Sequence, residues 1–185
     1  MNQAFFTDLQ KEMEKVIPAL RKDLGKLRTG RASTGLLEGV VVDYYGVPTP
    51  LNQLAVLSAP EPRLLVVQPY DPGAVGNIEK AILKTDLGLT PQNDGKLIRI
   101  PIPELTEERR RELVKHIKKM GEEFRVSVRN HRRIAIERLK ELEKKKEITS
   151  DELKQGQDRV QKITDEFIGR IDNAIKAKED EIMEV

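Results

Sequence analysis

Apolar residues recur every eleven positions in three separate segments of the chain. In the middle segment this spacing relates Leu113, Phe124 and Ala135. Eleven residues at about 3.67 residues per turn keep an apolar stripe on one face of a nearly straight helix. The stripes consist of Leu9, Met13, Val16, Leu20, Leu24 and Leu27; of Leu113, Ile117, Met120, Phe124, Val128, His131, Ala135, Leu139 and Leu142; and of Val160, Ile163, Phe167, Ile171, Ala174, Ile182 and Val185. Three stripes with one period predict a three-helix bundle.

Proline separates these helical segments from the middle of the chain. Nine of the ten prolines lie between residues 48 and 103, and none follows Thr106. Because proline costs about 3 kcal/mol inside a helix, residues 106–146 can form one long helix and the residues after Thr149 another. Thr149 and Glu152 have the spacing of a capping box, which predicts the start of the third helix. Pro18 should bend or weaken the first helix.

Residues 31–104 have the pattern of a small domain with strands and one helix. Short β-rich runs are separated by glycine, proline and other turn residues. The runs are Val40–Tyr45, Leu54–Leu57, Leu64–Val67 and Leu97–Ile100. A short helix is predicted from Ala74 to Lys84, and its inward residues are Val75, Ile78, Ile82 and Leu83. The predicted fold class is α+β: a long three-helix bundle with an inserted small β/α/β domain.

The predicted bundle comprises residues 1–29 and 106–185, and the predicted inserted domain comprises residues 31–104. Both connections must lie close together, because the insert leaves and re-enters the bundle at the same end. Gly30 suits the position after a helix C-terminus, and prolines 101 and 103 favour extended backbone. We therefore predict a hinge of two strands, one near residues 29–31 and the other within residues 101–106.

A cluster of arginines marks the second helix. No acidic residue lies between Glu123 and Glu137, and the arginines of this window are Arg125, Arg129, Arg132 and Arg133. At 100° per residue their side chains fall on one side of a helix, outside the apolar stripe, where they are expected to meet a ligand. Because the planar guanidinium matches phosphate oxygens, a nucleic-acid backbone is the favoured ligand. A solvated helix face is the simpler alternative, and a helical interaction module such as a chaperone or coiled-coil adaptor that grips acidic protein is another.

The charge distribution supports a polyanion as the ligand. Residues 106–146 carry 15 Lys and Arg against 8 Asp and Glu, whereas residues 147–185 carry 6 against 11, within a net charge of only +2. The positive field is thus concentrated in one segment. The chain has no cysteine and no apolar run long enough to span a bilayer. We expect a soluble cytoplasmic protein that does not bind membranes.

No catalytic constellation is evident in the sequence. His116 and His131 are fifteen residues apart, which is not a metal-ligand spacing. Walker A, dinucleotide and nucleophile-elbow motifs are missing. We therefore predict no enzymatic activity, no cofactor and no metal. His131 is expected to be a partly buried, hydrogen-bonded residue, and at least one of Tyr44 and Tyr45 should pack in the small domain, because neighbours in a strand face opposite sides.

Six short strings, in this order and spacing, resemble the bacterial ribosome recycling factor family over essentially the whole chain. They are Leu27-Arg28-Thr29-Gly30-Arg31-Ala32, Tyr44-Tyr45-Gly46, Asp86-Leu87-Gly88-Leu89, Leu105-Thr106-Glu107-Glu108-Arg109-Arg110, Val128-Arg129-Asn130-His131-Arg132-Arg133 and Gln161-Lys162-Ile163-Thr164-Asp165. His131 departs from the pattern, which usually has an aliphatic residue there.

The resemblance implies an L-shaped monomer that binds the post-termination ribosome through large-subunit ribosomal RNA. Elongation factor G, driven by its own GTP hydrolysis, would push on the small domain so that the subunits separate. Arg129 and Arg132 would be the principal RNA contacts, supported by Arg110 and Arg133. The hinge residues implied by the resemblance are Thr29, Gly30, Arg31, Glu104, Leu105 and Thr106.

Overall fold

The structure is a computed structural model that describes residues 2–184. Met1 and Val185, which end the predicted bundle segments, lie outside the described residues. The chain divides into two compact units, one formed by the residues up to Leu24 with Glu112–Glu184 and the other by Gly25–Arg111. The first unit is helical and the second contains the sheets, which confirms the predicted α+β class.

The predicted first helix is interrupted. Helix α1 (Gln3–Glu14) and helix α2 (Val16–Gly25) are separated by Lys15. A proline ring collides with the carbonyl four residues earlier, and for Pro18 that is the carbonyl of Glu14. The interruption therefore falls where Pro18 was predicted to disturb the helix.

Two long helices, α5 (Glu107–Lys144) and α6 (Ser150–Met183), supply the rest of the helical part. The predicted capping box at the start of α6 is confirmed. The Thr149 hydroxyl accepts from the Glu152 amide at 3.1 Å, and the Thr149 amide donates to the Glu152 carboxylate at 2.8 Å. These two bonds satisfy amide groups that have no partner within the helix.

The apolar stripes of α1, α2, α5 and α6 face a common core. Its fully buried members include Met13, Leu20, Ile117, Val128, Leu139, Val160 and Ile171. One position differs from the eleven-residue repeat, because Ile175 is buried where Ala174 was predicted. Ile175 faces Gly121 of α5, where an added Cβ atom would lie only 2.9 Å from Ile175 Cγ1. The missing side chain at Gly121 thus lets α5 and α6 approach closely.

The second unit contains a hairpin and a four-stranded sheet. Its elements, which include the short helices α3 and α4, are β1 (Val41–Tyr44), β2 (Val47–Pro50), α3 (Leu51–Leu54), β3 (Ala55–Glu61), β4 (Leu64–Pro69), α4 (Val75–Leu83), β5 (Gln92–Asn93) and β6 (Ile98–Pro101). Strands β1 and β2 pair antiparallel, and the larger sheet has the antiparallel order β3-β4-β6-β5. Apolar residues of these strands and of α4 form one core.

Helix α3 and strand β5 were not predicted, and two further details of this unit differ from the prediction. Leu83 is 56% exposed, although Val75, Ile78 and Ile82 are buried as predicted. At 100° per residue, Leu83 is turned well away from the face that the other three share. Strand β2 was not predicted because it contains two prolines, which are tolerated here because β2 lies at the edge of a two-stranded sheet.

The two segments predicted as a hinge lie against each other within the second unit. A Cβ atom added to Gly30 would be 3.2 Å from Leu105 Cγ and 3.5 Å from the Leu105 amide nitrogen. Gly30 has φ +78°, which favours glycine. The expectation that Gly30 follows a helix C-terminus is wrong, because α2 already ends at Gly25. Hinge motion at these segments stays a prediction. None of the helices in residues 2–184 combines the length and apolarity needed to cross a membrane.

Candidate nucleic-acid interface

The four arginines of the predicted stripe differ in their surroundings on α5. Arg129 and Arg133 are exposed, whereas Arg125 and Arg132 are half-buried. Val128, which lies among them in sequence, points into the core. The helix therefore separates the arginines from its apolar face, as the 100° rotation per residue predicts.

Arg125 is bound to two carboxylates of its own molecule. Its Nε donates to Asp172 Oδ1 on α6 at 2.7 Å, and its Nη1 donates to Glu122 Oε2 at 3.3 Å. Burial disfavours the charged form, but the hydrogen bonds to Asp172 and Glu122 outweigh it and raise the pKa of Arg125. With only 22% of its side chain exposed, Arg125 joins α5 to α6. Arg125 is therefore not free to meet a ligand, against the sequence expectation, and its contact with RNA stays a prediction.

Arg129 and Arg133 also have carboxylate partners, although both stay open to solvent. Arg129 Nη1 donates to Glu122 Oε1 at 2.7 Å, and Arg133 Nη1 donates to Glu137 Oε1 at 3.0 Å. Their side chains are 48% and 61% exposed. Ion pairs between exposed side chains contribute little, because water screens them and ordering both chains costs entropy. These ion pairs therefore contribute little free energy.

Glu122 is held as an anion by the two arginines that it bridges. The hydrogen bond from Arg129 is the largest cause of its lowered pKa, and the charge and hydrogen bond of Arg125 add to it. One carboxylate thus offsets part of the charge of two guanidinium groups.

Arg132 is the exception in the stripe. Its Nη1 donates at 2.9 Å to the amide oxygen of Gln161 on α6, which is neutral. Its Nε is buried and has no hydrogen-bond partner in the part of the chain that the structure describes. Within residues 2–184 this guanidinium pairs with no carboxylate. Its charge is therefore not neutralised by the molecule itself.

The stripe is consequently less cationic than the sequence suggests. Four guanidinium charges are accompanied by three carboxylates, those of Glu122, Glu137 and Asp172. The first two carboxylates could have been found from their spacing to the arginines along one helix. Asp172 and Gln161 lie on another helix, and nothing in the sequence identifies them as partners.

Arg110, the fifth predicted contact, lies in the second unit. It is in the first turns of α5, where the Thr106 hydroxyl accepts from the Arg109 amide at 3.2 Å. The Arg110 side chain is half-buried, and its Nε is buried without a hydrogen-bond partner among the described residues. Like Arg132, it carries a charge that no carboxylate in residues 2–184 offsets.

Tyr44 and Tyr45 lie on the same side of the second unit, against expectation. Both hydroxyls donate to Asp71 Oδ2, at 3.0 and 3.2 Å, and the rings meet edge to face with centroids 4.6 Å apart. Strand β1 ends at Tyr44, and Tyr45 and Gly46 form a two-residue turn with φ +50° and +82°. Positive φ at both positions is the geometry of a type I′ hairpin, which ends the strand alternation. Tyr44 packs against the core, as predicted for one of the pair, and Tyr45 is 76% exposed.

His131 is half-buried at the edge of the bundle, as predicted. It lines two neighbouring grooves on the helical unit, and Glu12 of α1 lines both of them as well. The expected hydrogen bond is missing, because its imidazole has no such partner among residues 2–184. No cluster of histidine, aspartate and glutamate side chains in the described residues could hold a metal ion.

These features define the class of the protein: a two-unit α+β chain whose long helix α5 presents arginines, of which Arg110 and Arg132 have no carboxylate partner within residues 2–184. A family model described as ribosome recycling factor matches residues 20–183. The chain belongs to the ribosome recycling factor family.

Individual relatives are similar in sequence to this chain over all or nearly all of their lengths. The chain is 58% identical over 179 residues to the ribosome-recycling factor of Natranaerobius thermophilus, with 97% of each chain covered. It is 55% identical over 185 residues to that of Bacillus subtilis, with 100% of each covered.

Solved structures of the family are similar to this one. A solution structure of the ribosome recycling factor has a TM-score of 0.78 at 44% identity, with 99% of this chain and 97% of the other covered. The second comes from models of the T. thermophilus ribosome recycling factor and the E. coli elongation factor G bound to the E. coli post-termination complex. Its TM-score is 0.70 at 46% identity, with 98% of each chain covered.

Proposed function

We propose that this chain is a cytoplasmic ribosome recycling factor that acts as a monomer. It binds post-termination ribosomes through large-subunit ribosomal RNA. Together with elongation factor G, which hydrolyses GTP, it promotes dissociation of the subunits for a new round of translation. The observation that carries the proposal is family membership over residues 20–183, together with a similar chain placed with elongation factor G on a post-termination complex.

The RNA contact is proposed to lie on α5. Arg132 and Arg129 are its principal residues, because Arg132 has no carboxylate partner in residues 2–184 and Arg129 has one that water screens. Arg133 and Arg110 support them. Arg125 contributes mainly by joining α5 to α6, since Asp172 and Glu122 occupy its guanidinium.

The protein is proposed to have no catalytic role of its own. It binds RNA as a shaped body, and the partner supplies free energy through GTP hydrolysis. A movement of the inserted domain, residues 31–104, at Thr29–Arg31 and Glu104–Thr106 would accompany the push by elongation factor G. The closeness of Gly30 and Leu105 supports this proposal, because two segments that lie against each other can bend together.

The test is the affinity of Arg132→Ala for purified 70S ribosomes. We expect a loss of about 1 to 3 kcal/mol, typical of hydrogen bonds to charged groups, with unchanged helix content. Lys11→Ala on α1 removes the same charge from an exposed position outside the stripe and should bind normally. Equal affinities for wild type and Arg132→Ala would exclude this face from the contact.

Two further measurements separate RNA binding from binding to acidic protein. Ribosome affinity should fall steeply with added salt, because each neutralised phosphate releases counterions. Association that survives complete ribonuclease digestion would instead support the alternative of a helical interaction module. Subunit dissociation should require elongation factor G and GTP, and dissociation without that factor would contradict the proposal.

A further inference from the structure

Arg132, Gln161 and Asp165 are joined by two consecutive hydrogen bonds, which we call the relay. Gln161 Oε1 accepts from Arg132 Nη1 at 2.9 Å, and Gln161 Nε2 donates to Asp165 Oδ1 at 2.8 Å. Both residues are on α6, one turn apart, whereas Arg132 is on α5. The relay therefore crosses between the helices.

The chemistry of the end groups sets the orientation of the amide. A guanidinium can only donate, and a carboxylate can only accept. Gln161 must therefore turn its oxygen to Arg132 and its nitrogen to Asp165, since the reverse orientation would lose both hydrogen bonds. Asp165 thus keeps an acceptor, and not a donor, in front of Arg132.

A neutral acceptor has a different effect on Arg132 from that of a carboxylate. Glu122, Glu137 and Asp172 each bring a negative charge to the arginine that they hold. Gln161 holds Arg132 in place but leaves its charge intact. Because Arg132 Nε is also buried without a partner in the described residues, this cation is partly desolvated and gains more from an incoming anion.

We propose that Gln161 is a positioning residue for phosphate binding: it orients the Arg132 guanidinium without neutralising it, and Asp165 fixes the orientation of its amide. This inference rests on the proposed function, because the phosphate belongs to the ribosomal RNA. It assigns a role to the Gln161–Asp165 string.

The decisive variant is Gln161→Glu, which keeps the size of the side chain and changes its charge. The glutamate would pair with Arg132 as Glu137 pairs with Arg133. Affinity for purified 70S ribosomes should fall about tenfold, a loss in the range of one charged hydrogen-bond contact. The slope of log affinity against log salt should fall by up to about 1, since one phosphate contact is weakened. The melting temperature should change little, because an ion pair across two helices is gained while the hydrogen bond to Asp165 is lost.

A tenfold loss of affinity at a nearly unchanged melting temperature distinguishes this role from a structural one, in which both would fall together. Gln155→Glu adds the same charge to an exposed position of α6 and should leave affinity near that of wild type. Gln161→Met, which removes the acceptor but adds no charge, should weaken binding less than Gln161→Glu. If Gln161→Glu does not fold, wild-type affinity in Gln161→Met would still overturn the positioning role.

A double variant shows whether the effect passes through Arg132. In the Arg132→Ala background, Gln161→Glu should have little further effect on affinity. Full additivity of the two losses would mean that the glutamate acts by general repulsion, which overturns the inference. Normal binding by Arg132→Ala would remove the proposed RNA face itself. A weakened Arg132→Ala beside an unaffected Gln161→Glu would overturn only the role of Gln161.

Discussion

Arg170 of α6 holds Glu14 of α1 through two parallel hydrogen bonds, from Nη1 to Oε2 at 2.7 Å and from Nη2 to Oε1 at 2.8 Å. The same guanidinium lies 5.0 Å from the centre of the Phe167 ring. Such a fork matches the carboxylate geometrically and stacks on an aromatic ring, which a lysine cannot reproduce. The pair therefore fixes α1 against α6 at the place where α1 ends.

We expect Arg170→Lys to lower the melting temperature, because one flexible ammonium replaces two directed bonds and a stacked plane. Thermal unfolding followed by circular dichroism measures the change. Arg111→Lys is the matched control, since among residues 2–184 Arg111 makes only an exposed pair with Glu107 on its own helix. If both substitutions lowered the melting temperature equally, the two hydrogen bonds between Arg170 and Glu14 would add no stability.

The same pair predicts a dependence of stability on pH. The hydrogen bond from Arg170 holds the pKa of Glu14 below its ordinary value of 4.5. A lowered folded-state pKa stabilises the protein above 4.5, and this contribution is lost as the pH falls through the folded-state value. Glu14→Gln should therefore lower the melting temperature at neutral pH but much less in acid. If the melting temperature of Glu14→Gln stayed equally far below that of wild type in acid, the stabilisation would not come from the charge of Glu14.

Two helical glycines should respond in opposite directions to alanine. At Gly121 a Cβ atom would lie 2.9 Å from Ile175 Cγ1 and 3.1 Å from its Cδ1, whereas at Gly169 nothing lies within 4 Å. Overpacking costs about 1 to 3 kcal/mol, and alanine gains about 1 kcal/mol of helix propensity over glycine. Chemical denaturation should thus show Gly121→Ala to be less stable and Gly169→Ala more stable than wild type. Stabilisation by Gly121→Ala would mean that Ile175 moves aside without cost.

The sequence predicted the features of this chain that depend on local pattern. Residue spacing and backbone chemistry account for three of them: the capping box of Thr149, the interruption of the first helix near Pro18 and the buried face of α4. Tyr45 was misplaced because the strand pattern continues into a turn that has two positive φ angles. A type I′ turn usually has Asn, Asp or Gly at that position, so a tyrosine gives no warning.

The candidate site shows the same limit. The 100° rotation of a helix places the arginines on one face, and Glu122 could have been paired with Arg125 by its i,i+3 spacing. The arginines' partners on α6 depend on how α5 and α6 pack against each other. Residue spacing within one helix does not reveal that packing. Asp172 takes Arg125 out of the open surface, and Gln161 holds Arg132. The sequence therefore located the arginines but not the differences between them.

The two tyrosines beside Asp71 give a spectroscopic prediction. The hydrogen bond to Asp71 is the main cause of the raised pKa of Tyr44, and the charge of Asp71 is the main cause for Tyr45. Asp71→Asn removes that charge, so both phenols should ionise at lower pH. Ultraviolet absorbance of tyrosinate during an alkaline titration measures the shift. An unchanged titration would mean that the carboxylate does not face both hydroxyls in solution.

Glu122 gives the clearest test of the charge balance on α5. Its carboxylate bonds Arg129 at 2.7 Å and Arg125 at 3.3 Å, so it competes with any phosphate that approaches these groups. Glu122→Gln keeps a hydrogen-bond acceptor but removes the charge. Affinity for 70S ribosomes should rise severalfold, and its salt dependence should become steeper, because one more cation is open to a phosphate.

Glu123→Gln is the matched control for this last variant. It removes the same charge from the next residue, which is exposed and lines a groove on the His131 side of the helix. A general rise in positive field would strengthen binding equally in both variants, whereas release of Arg129 strengthens it only in Glu122→Gln. Weaker binding by Glu122→Gln would reverse the interpretation: the carboxylate would then be needed to hold Arg129 in its binding position, as Gln161 is proposed to hold Arg132.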